Sequence, residues 1–191
     1  MSKIKITLLG NCQTRALTWY IQQINLNYDV KWICIEHFKE IGGGWTTNTF
    51  SGKFVYTISD NSEAINRLKL SDYVIFQPIR TETSDNYNPD QIKKHAKNAE
   101  IISISSFFYE PDDPEQKYLK GMISRAEEFN IDIPAHKIIE KHGSKITMQQ
   151  KNHPHAFYFL ELVREICAKT GWNYYSKEQY NQYLKEGFPF G

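Results

Sequence analysis

The feature that most constrains this chain is the rhythm of short apolar runs and helical patterns over its first hundred or so residues. Ile4-Lys5-Ile6-Thr7-Leu8-Leu9 reads as a strand over 3–9, and Gly10 stops it. Residues 14–26 then place Leu17, Tyr20, Ile21 and Ile24 on one helical face. Val30–Ile35 is a second strand, Tyr73–Phe76 a third ended by Pro78, and Ile101–Ile104 a fourth. Between them, Asp60 or Ser62 caps a helix running to about Leu70, and Asn88-Pro89 opens another running to about Asn98. A loop rich in Gly and Thr over 42–52 leads into a short strand near Phe54–Ile58. Strands alternating with helices predict a central, mostly parallel sheet covered on both faces, a three-layer α/β sandwich.

Beyond residue 104 the rhythm changes. A helix is expected over 114–129, with Pro114 in its first turn. Residues 130–152 are polar and poorly periodic, and read as irregular. From Pro154 a strong helix runs to Lys169 with Phe159, Leu160, Val163, Ile166 and Cys167 as its stripe, and Gly171 ends it. A last amphipathic helix spans about Lys177–Lys185. With 191 residues, no repeat and no long linker, the expectation is a single α/β domain with a C-terminal helical extension over about 154–191.

Composition narrows the function classes. Lys plus Arg number 23 and Asp plus Glu 22, a net charge of +1, which gives no general attraction to nucleic acid or an anionic membrane. No window has the ~18 apolar residues of a membrane span and no secretory leader is evident, so a cytoplasmic protein is expected. Three cysteines without paired spacing argue against a disulfide framework. Cys34 and Cys167 lie in apolar settings and read as core thiols.

In parallel sheets chemistry gathers at the carboxyl ends of the strands. Three segments fall there: Gly10-Asn11-Cys12-Gln13 after strand one, Gly42-Gly43-Gly44-Trp45 after strand two, and Gln77-Pro78-Ile79-Arg80 after strand three. At a helix start, a Cys12 thiolate meets the positive end of the helix dipole, which favours the nucleophilic form. A structural thiol fits the same place. A nucleophile needs a base. Of six histidines, His37 and His95 read as surface residues near element ends, and His136 and His142 fall in the irregular segment. His153 stands in a loop just before Pro154 opens a helix, and either acts as a base or caps that helix. His153 and His155 flank Pro154, but no further cluster supplies the ligands a metal needs. The glycines around Gly43 offer backbone N–H groups and Gln77 a side-chain amide, as oxyanion donors or as plain turn and strand-end residues. Dinucleotide-binding, Walker and Gly-x-Ser-x-Gly motifs are missing.

The order of these parts resembles the SGNH hydrolases, and more generally an SGNH/flavodoxin-like sandwich. More specifically, Gly10-Asn11-Cys12-Gln13 near one end and Asn152-His153-Pro154 near the other resemble the WcbI-type polysaccharide biosynthesis family over about Lys3–Lys169. That resemblance implies capsule or exopolysaccharide assembly, coenzyme A as donor and an acetyltransferase activity. It implies Cys12 as nucleophile and His153 as general base. Gly10, Asn11 and Gln13 would shape the turn, and Gln77 would stand where SGNH enzymes use an asparagine oxyanion donor. The departure is Gln150, three residues before His153, where an SGNH enzyme carries an aspartate. Either another acid approaches His153, or a Cys–His pair works without one; a thiol needs less help than a hydroxyl, its ordinary pKa being about 8.5. Coenzyme A asks for cations at its phosphates; Arg15 and Arg80 suit that role, with Lys151 a further candidate.

The expected activity is therefore an acetyl-coenzyme A-dependent O-acetyltransferase acting on a sugar or polysaccharide precursor, with no metal, no nucleic acid and no membrane span. The alternatives are an SGNH-like esterase or thioesterase with water as acceptor, and a non-catalytic module that binds coenzyme A or a glycan.

Overall fold

The computed structural model describes residues 3–34, 62–78, 89–107, 117–146, 148–150 and 153–187. The loop over 42–52 with its glycines Gly42–Gly44, the short strand near Phe54–Ile58, His37, Arg80 and Lys151 lie outside the described residues. Four parallel strands form the centre: β1 (Ile4–Gly10), β2 (Tyr28–Cys34), β3 (Tyr73–Phe76) and β4 (Glu100–Ser103), in the order β2-β1-β3-β4. Register is set by the period-two alternation of β1. Ile6 and Leu8 face one layer of helices and Leu9 the other, so a slip of one residue would turn each set outward.

On one face lie α1 (Cys12–Ile24), α4 (Lys117–Glu128), α5 (Ala135–His142), α6 (Ala156–Thr170) and α7 (Lys177–Glu186). On the other lie α2 (Ser62–Lys69) and α3 (Pro89–His95), closing a smaller core of Leu9, Ile33, Leu68, Val74, Phe76 and Ile92. This is the expected three-layer α/β sandwich. Helix α6 is part of the layer that covers the sheet: Phe159 stacks on Tyr20 of α1, with centroids 5.6 Å apart and 16° between planes. Gly171 ends α6 at φ 73°, a left-handed position that glycine adopts without a Cβ penalty.

The smaller face holds an ion pair between buried Arg67 and half-buried Asp29. Arg67 of α2 reaches over β1 to Asp29 Oδ2 at 2.6 Å, and also donates to Thr7 Oγ1 at 3.1 Å and to the Asp29 carbonyl. Both ends of the guanidinium are met, which is what makes its burial tolerable.

Two expectations need correction: the described residues within 130–152 are structured, and the helix expected from Pro154 opens at Ala156, with His153 and Pro154 in a short strand before it. The segment 130–152 is not irregular: Ile133 bridges to Ile104 beside the sheet, α5 follows, and β5 (Met148–Gln150) pairs antiparallel with β6 (His153–Pro154). His136 and His142 consequently sit on a helix. The pattern hid α5 because one of its buried residues is His136, which reads as polar. The helix over 114–129 is described only from Lys117.

Candidate active site

The chain runs from β1 outward to β2, then returns across β1 to β3 and β4. The order reverses between β1 and β3, and the crevice at the carboxyl ends of those two strands is the topological switch point. Gly10–Gln13 and Gln77 are the residues there.

The turn between β1 and α1 is tightly braced. Asn11 is the N-cap of α1, its Oδ1 accepting the Gln13 N–H at 2.9 Å. The Asn11 N–H donates to Gln77 Oε1 at 3.2 Å. Gln77 Nε2 donates to Gln13 Oε1 at 3.1 Å and to the Ser105 carbonyl at 3.4 Å. Gln13 in turn holds Phe107 on both backbone groups, accepting its N–H at 2.9 Å and donating Nε2–H to its carbonyl at 2.7 Å. Both glutamines are buried. From the opposite side Trp32 Nε1 donates to Thr14 Oγ1 at 2.8 Å and to the Gly10 carbonyl at 3.2 Å, while Thr14 Oγ1 donates to the Asn11 carbonyl at 2.7 Å.

Glycine at 10 is a spatial requirement. A Cβ there would stand 2.5 Å from Thr14 Cγ2 and 2.6 Å from Gln77 Oε1. Cys12 is the first residue of α1, partly exposed and not in a disulfide, so the thiol sits at the positive end of a 13-residue helix. Cys167 is the opposite case: buried in the core, its thiol is pushed up to about 12 by burial. The Arg15 guanidinium lies 5.9 Å from the Trp32 ring centroid, a cation over an aromatic face within one helical turn of Cys12.

For His153 the described part is the backbone, in β6, paired with Gln150. The start of the helix that follows is tied to the Cys12 turn through Phe107, whose ring lies 4.1 Å from that of fully buried Tyr158 in the first turn of α6. The same Phe107 is held by Gln13. Gly10, Asn11, Cys12, Gln13 and Gln77 thus gather at one edge, with Arg15 beside them.

Sequence reasoning missed Phe107, Trp32 and Ser105. Phe107 acts through its main chain, and Trp32 looked like an ordinary strand aromatic. Ser105 is buried at the carboxyl end of β4, and its hydroxyl has no hydrogen-bond partner among the described residues. The rule that flagged the ends of the first three strands would have flagged Ser105-Ser106-Phe107, had it been carried on to the fourth. Among the described residues there is no cluster of metal-ligating side chains, and no helix is long and apolar enough to cross a membrane.

Fold and site together define a parallel α/β sandwich with a cysteine at the helix start of its switch point. By sequence the chain matches no family model and no curated protein. Among solved structures it shares its fold with WcbI, described as a novel polysaccharide biosynthesis enzyme, in native form without a disulfide bond between coenzyme A and one of its cysteines. The match has a TM-score of 0.59 at 13% identity, and covers 91% of this chain and 71% of that one.

Proposed function

We propose that this protein is an acyltransferase of polysaccharide biosynthesis, moving an acetyl group from acetyl-coenzyme A to a sugar hydroxyl, with Cys12 as nucleophile and His153 as general base. The observation that carries the reading is the Phe107 link. It couples the turn bearing Cys12 to the start of the helix that directly follows the His153 strand. The fold shared with an enzyme of polysaccharide biosynthesis, whose name mentions coenzyme A and a cysteine, supports that pathway and that donor for this chain.

In this reading the Cys12 thiolate attacks the thioester carbonyl. The carbon–sulfur bond to coenzyme A breaks, and the departing thiolate takes a proton from His153. The sugar hydroxyl then loses its proton to His153 and attacks the Cys12 thioester, forming the ester and releasing Cys12. Gln77 enters as a brace, because both of its amide hydrogens point to Gln13 and Ser105. Gly43 remains the source proposed for oxyanion N–H groups, with Arg15, Arg80 and Lys151 for the phosphates of the donor. Arg15, held over Trp32, has the charge and the planar fork that a phosphate needs.

The test is intact-protein mass spectrometry after incubation with acetyl-coenzyme A alone, followed by addition of sugar acceptors. The expected result is an acetyl adduct on Cys12 that is discharged by acceptor and absent from Cys12→Ala. Discharge into water at the same rate, with or without sugar, would make the protein a thioesterase. Neither adduct nor released coenzyme A under any acceptor would sink the catalytic reading.

A further inference from the structure

A second feature lies at the same end of α6. An open hollow of about 810 Å³ lies between the start of α6, the turn after α5 and the end of α7. Its walls divide by chemistry. Phe157, half-buried, and Leu184, exposed, make an apolar floor. Lys145 and Lys185 stand exposed at its rim, and neither has a carboxylate partner among the described residues. One carboxylate, Glu186, shares the rim; its Oε1 accepts from Gln182 Nε2 at 3.0 Å. His155 also lines the cleft and occupies the N-cap position of α6 without capping it by its side chain.

The floor is held in place from behind. The His142 imidazole packs edge-on against Phe157 at 5.3 Å and 80°. His142 Nε2 lies 3.1 Å from Glu161 Oε2, and that buried carboxylate also takes Arg164 at 3.3 Å and the Tyr180 hydroxyl at 3.2 Å. A fixed ring face needs little ordering when a ligand lands on it.

Two ammonium groups and one carboxylate over an apolar floor leave a net positive rim. That combination recognises a ring with an apolar face, hydroxyls and one oxyanion. The lysines take the oxyanion, Glu186 accepts from a hydroxyl, and the ring's C–H face lies on Phe157 and Leu184. The cleft begins at His155, two residues after His153.

We propose that this cleft is the acceptor subsite and that the acceptor is a sugar unit bearing an oxyanion, either a uronate carboxylate or a sugar phosphate. Its role as acceptor site rests on the acyl-transfer reading above; its binding of a charged sugar is measurable without turnover.

The experiment is ligand-observed saturation-transfer NMR on the full chain with glucuronate, glucose 1-phosphate and glucose. It is run on wild type and on a Lys145→Ala/Lys185→Ala double variant, alongside a thermal-shift titration with coenzyme A. Both lysines are exposed, so the double variant keeps its core. A charged sugar is expected to bind about ten-fold or more tighter than glucose, and the double variant to lose that advantage while its coenzyme A shift is unchanged. Preference between the two charged sugars identifies the oxyanion. The inference is overturned if charged and neutral sugars bind alike, if the double variant binds as wild type does, or if it loses the coenzyme A shift instead. Charged-sugar binding that follows the expected pattern while neither a Cys12 adduct nor released coenzyme A forms with any acceptor overturns the acyl-transfer reading and leaves the anionic-sugar site standing. A Cys12 adduct that other sugars discharge, but the bound charged sugar does not, overturns the acceptor role of the cleft.

Discussion

Gly10→Ala tests the bracing of the site most directly. The added methyl would stand 2.5 Å from Thr14 Cγ2, 2.6 Å from Gln77 Oε1 and 2.9 Å from Thr14 Oγ1. Neither neighbour can yield freely, since Thr14 is fully buried and Gln77 is 2% exposed. Rotating Thr14 away gives up its bonds to the Asn11 carbonyl and to Trp32 Nε1; moving Gln77 gives up its bond from the Asn11 N–H. Overpacking costs about 1–3 kcal/mol, and a buried group left unsatisfied about 1–3 kcal/mol more. A loss of about 3 kcal/mol is expected, or roughly 6–12 °C in Tm for a chain of this length. Gly121→Ala is the internal control: it lies within α4 with nothing inside 4 Å of the new methyl. There, removing a helix-interior glycine should stabilise by roughly 0.5–1 kcal/mol. Thermal and urea unfolding of both variants read the two effects with opposite signs. If Gly10→Ala melts within about 2 °C of wild type, the close approach of Thr14 and Gln77 to Gly10 does not hold.

Three further outcomes follow from groups elsewhere in the fold. Arg67→Ala removes the buried partner of half-buried Asp29 and the donor to buried Thr7 Oγ1, so urea unfolding should show a loss of about 1–3 kcal/mol. Burial raises the Asp132 carboxyl, but the Ser103 N–H, Lys169 and the Ser103 hydroxyl outweigh it and hold the carboxyl below its ordinary value. Its contribution is therefore present above the unfolded value of about 3.9 and lost as pH falls through the lower folded value; unfolding across pH should show wild type ahead of Asp132→Asn near neutrality and the gap closing below about 4. Iodoacetamide at about pH 8 should label partly exposed Cys12 and spare buried Cys167, whose thiol stays protonated there, until denaturant is added; peptide mapping by mass spectrometry reads both sites.

The sheet was legible because each strand is an apolar run bounded by a breaker. Gly10 closes β1 and Pro78 follows β3, so both run and boundary are local signals. The small elements after residue 130 were not, for a different reason in each. Helix α5 is short and buries a histidine, and β5 and β6 are too brief to carry a period. At the site, the Gly10–Gln13 turn was legible as an interruption between strand and helix. What holds the turn was not. Trp32 reaches Thr14 across 18 residues and Gln13 meets Phe107 across 94, pairings that depend on which strands lie side by side. The strand order itself places β1 in the interior of the sheet, and no local pattern in the chain encodes that order.

That bracing explains why the residues around the thiol are amides. Gln13 must accept from the Phe107 N–H and from Gln77 while donating to the Phe107 carbonyl, and only a group with both capacities can do so. A glutamate at 13 would face the Phe107 carbonyl with nothing to donate. It would also bury a negative charge within the first turn of α1, where no acidic residue now stands. Neutral braces fix the turn without cancelling the positive end of the helix. An anion formed on Cys12 is then the charge which that end stabilises, as the nucleophilic role proposed for Cys12 requires.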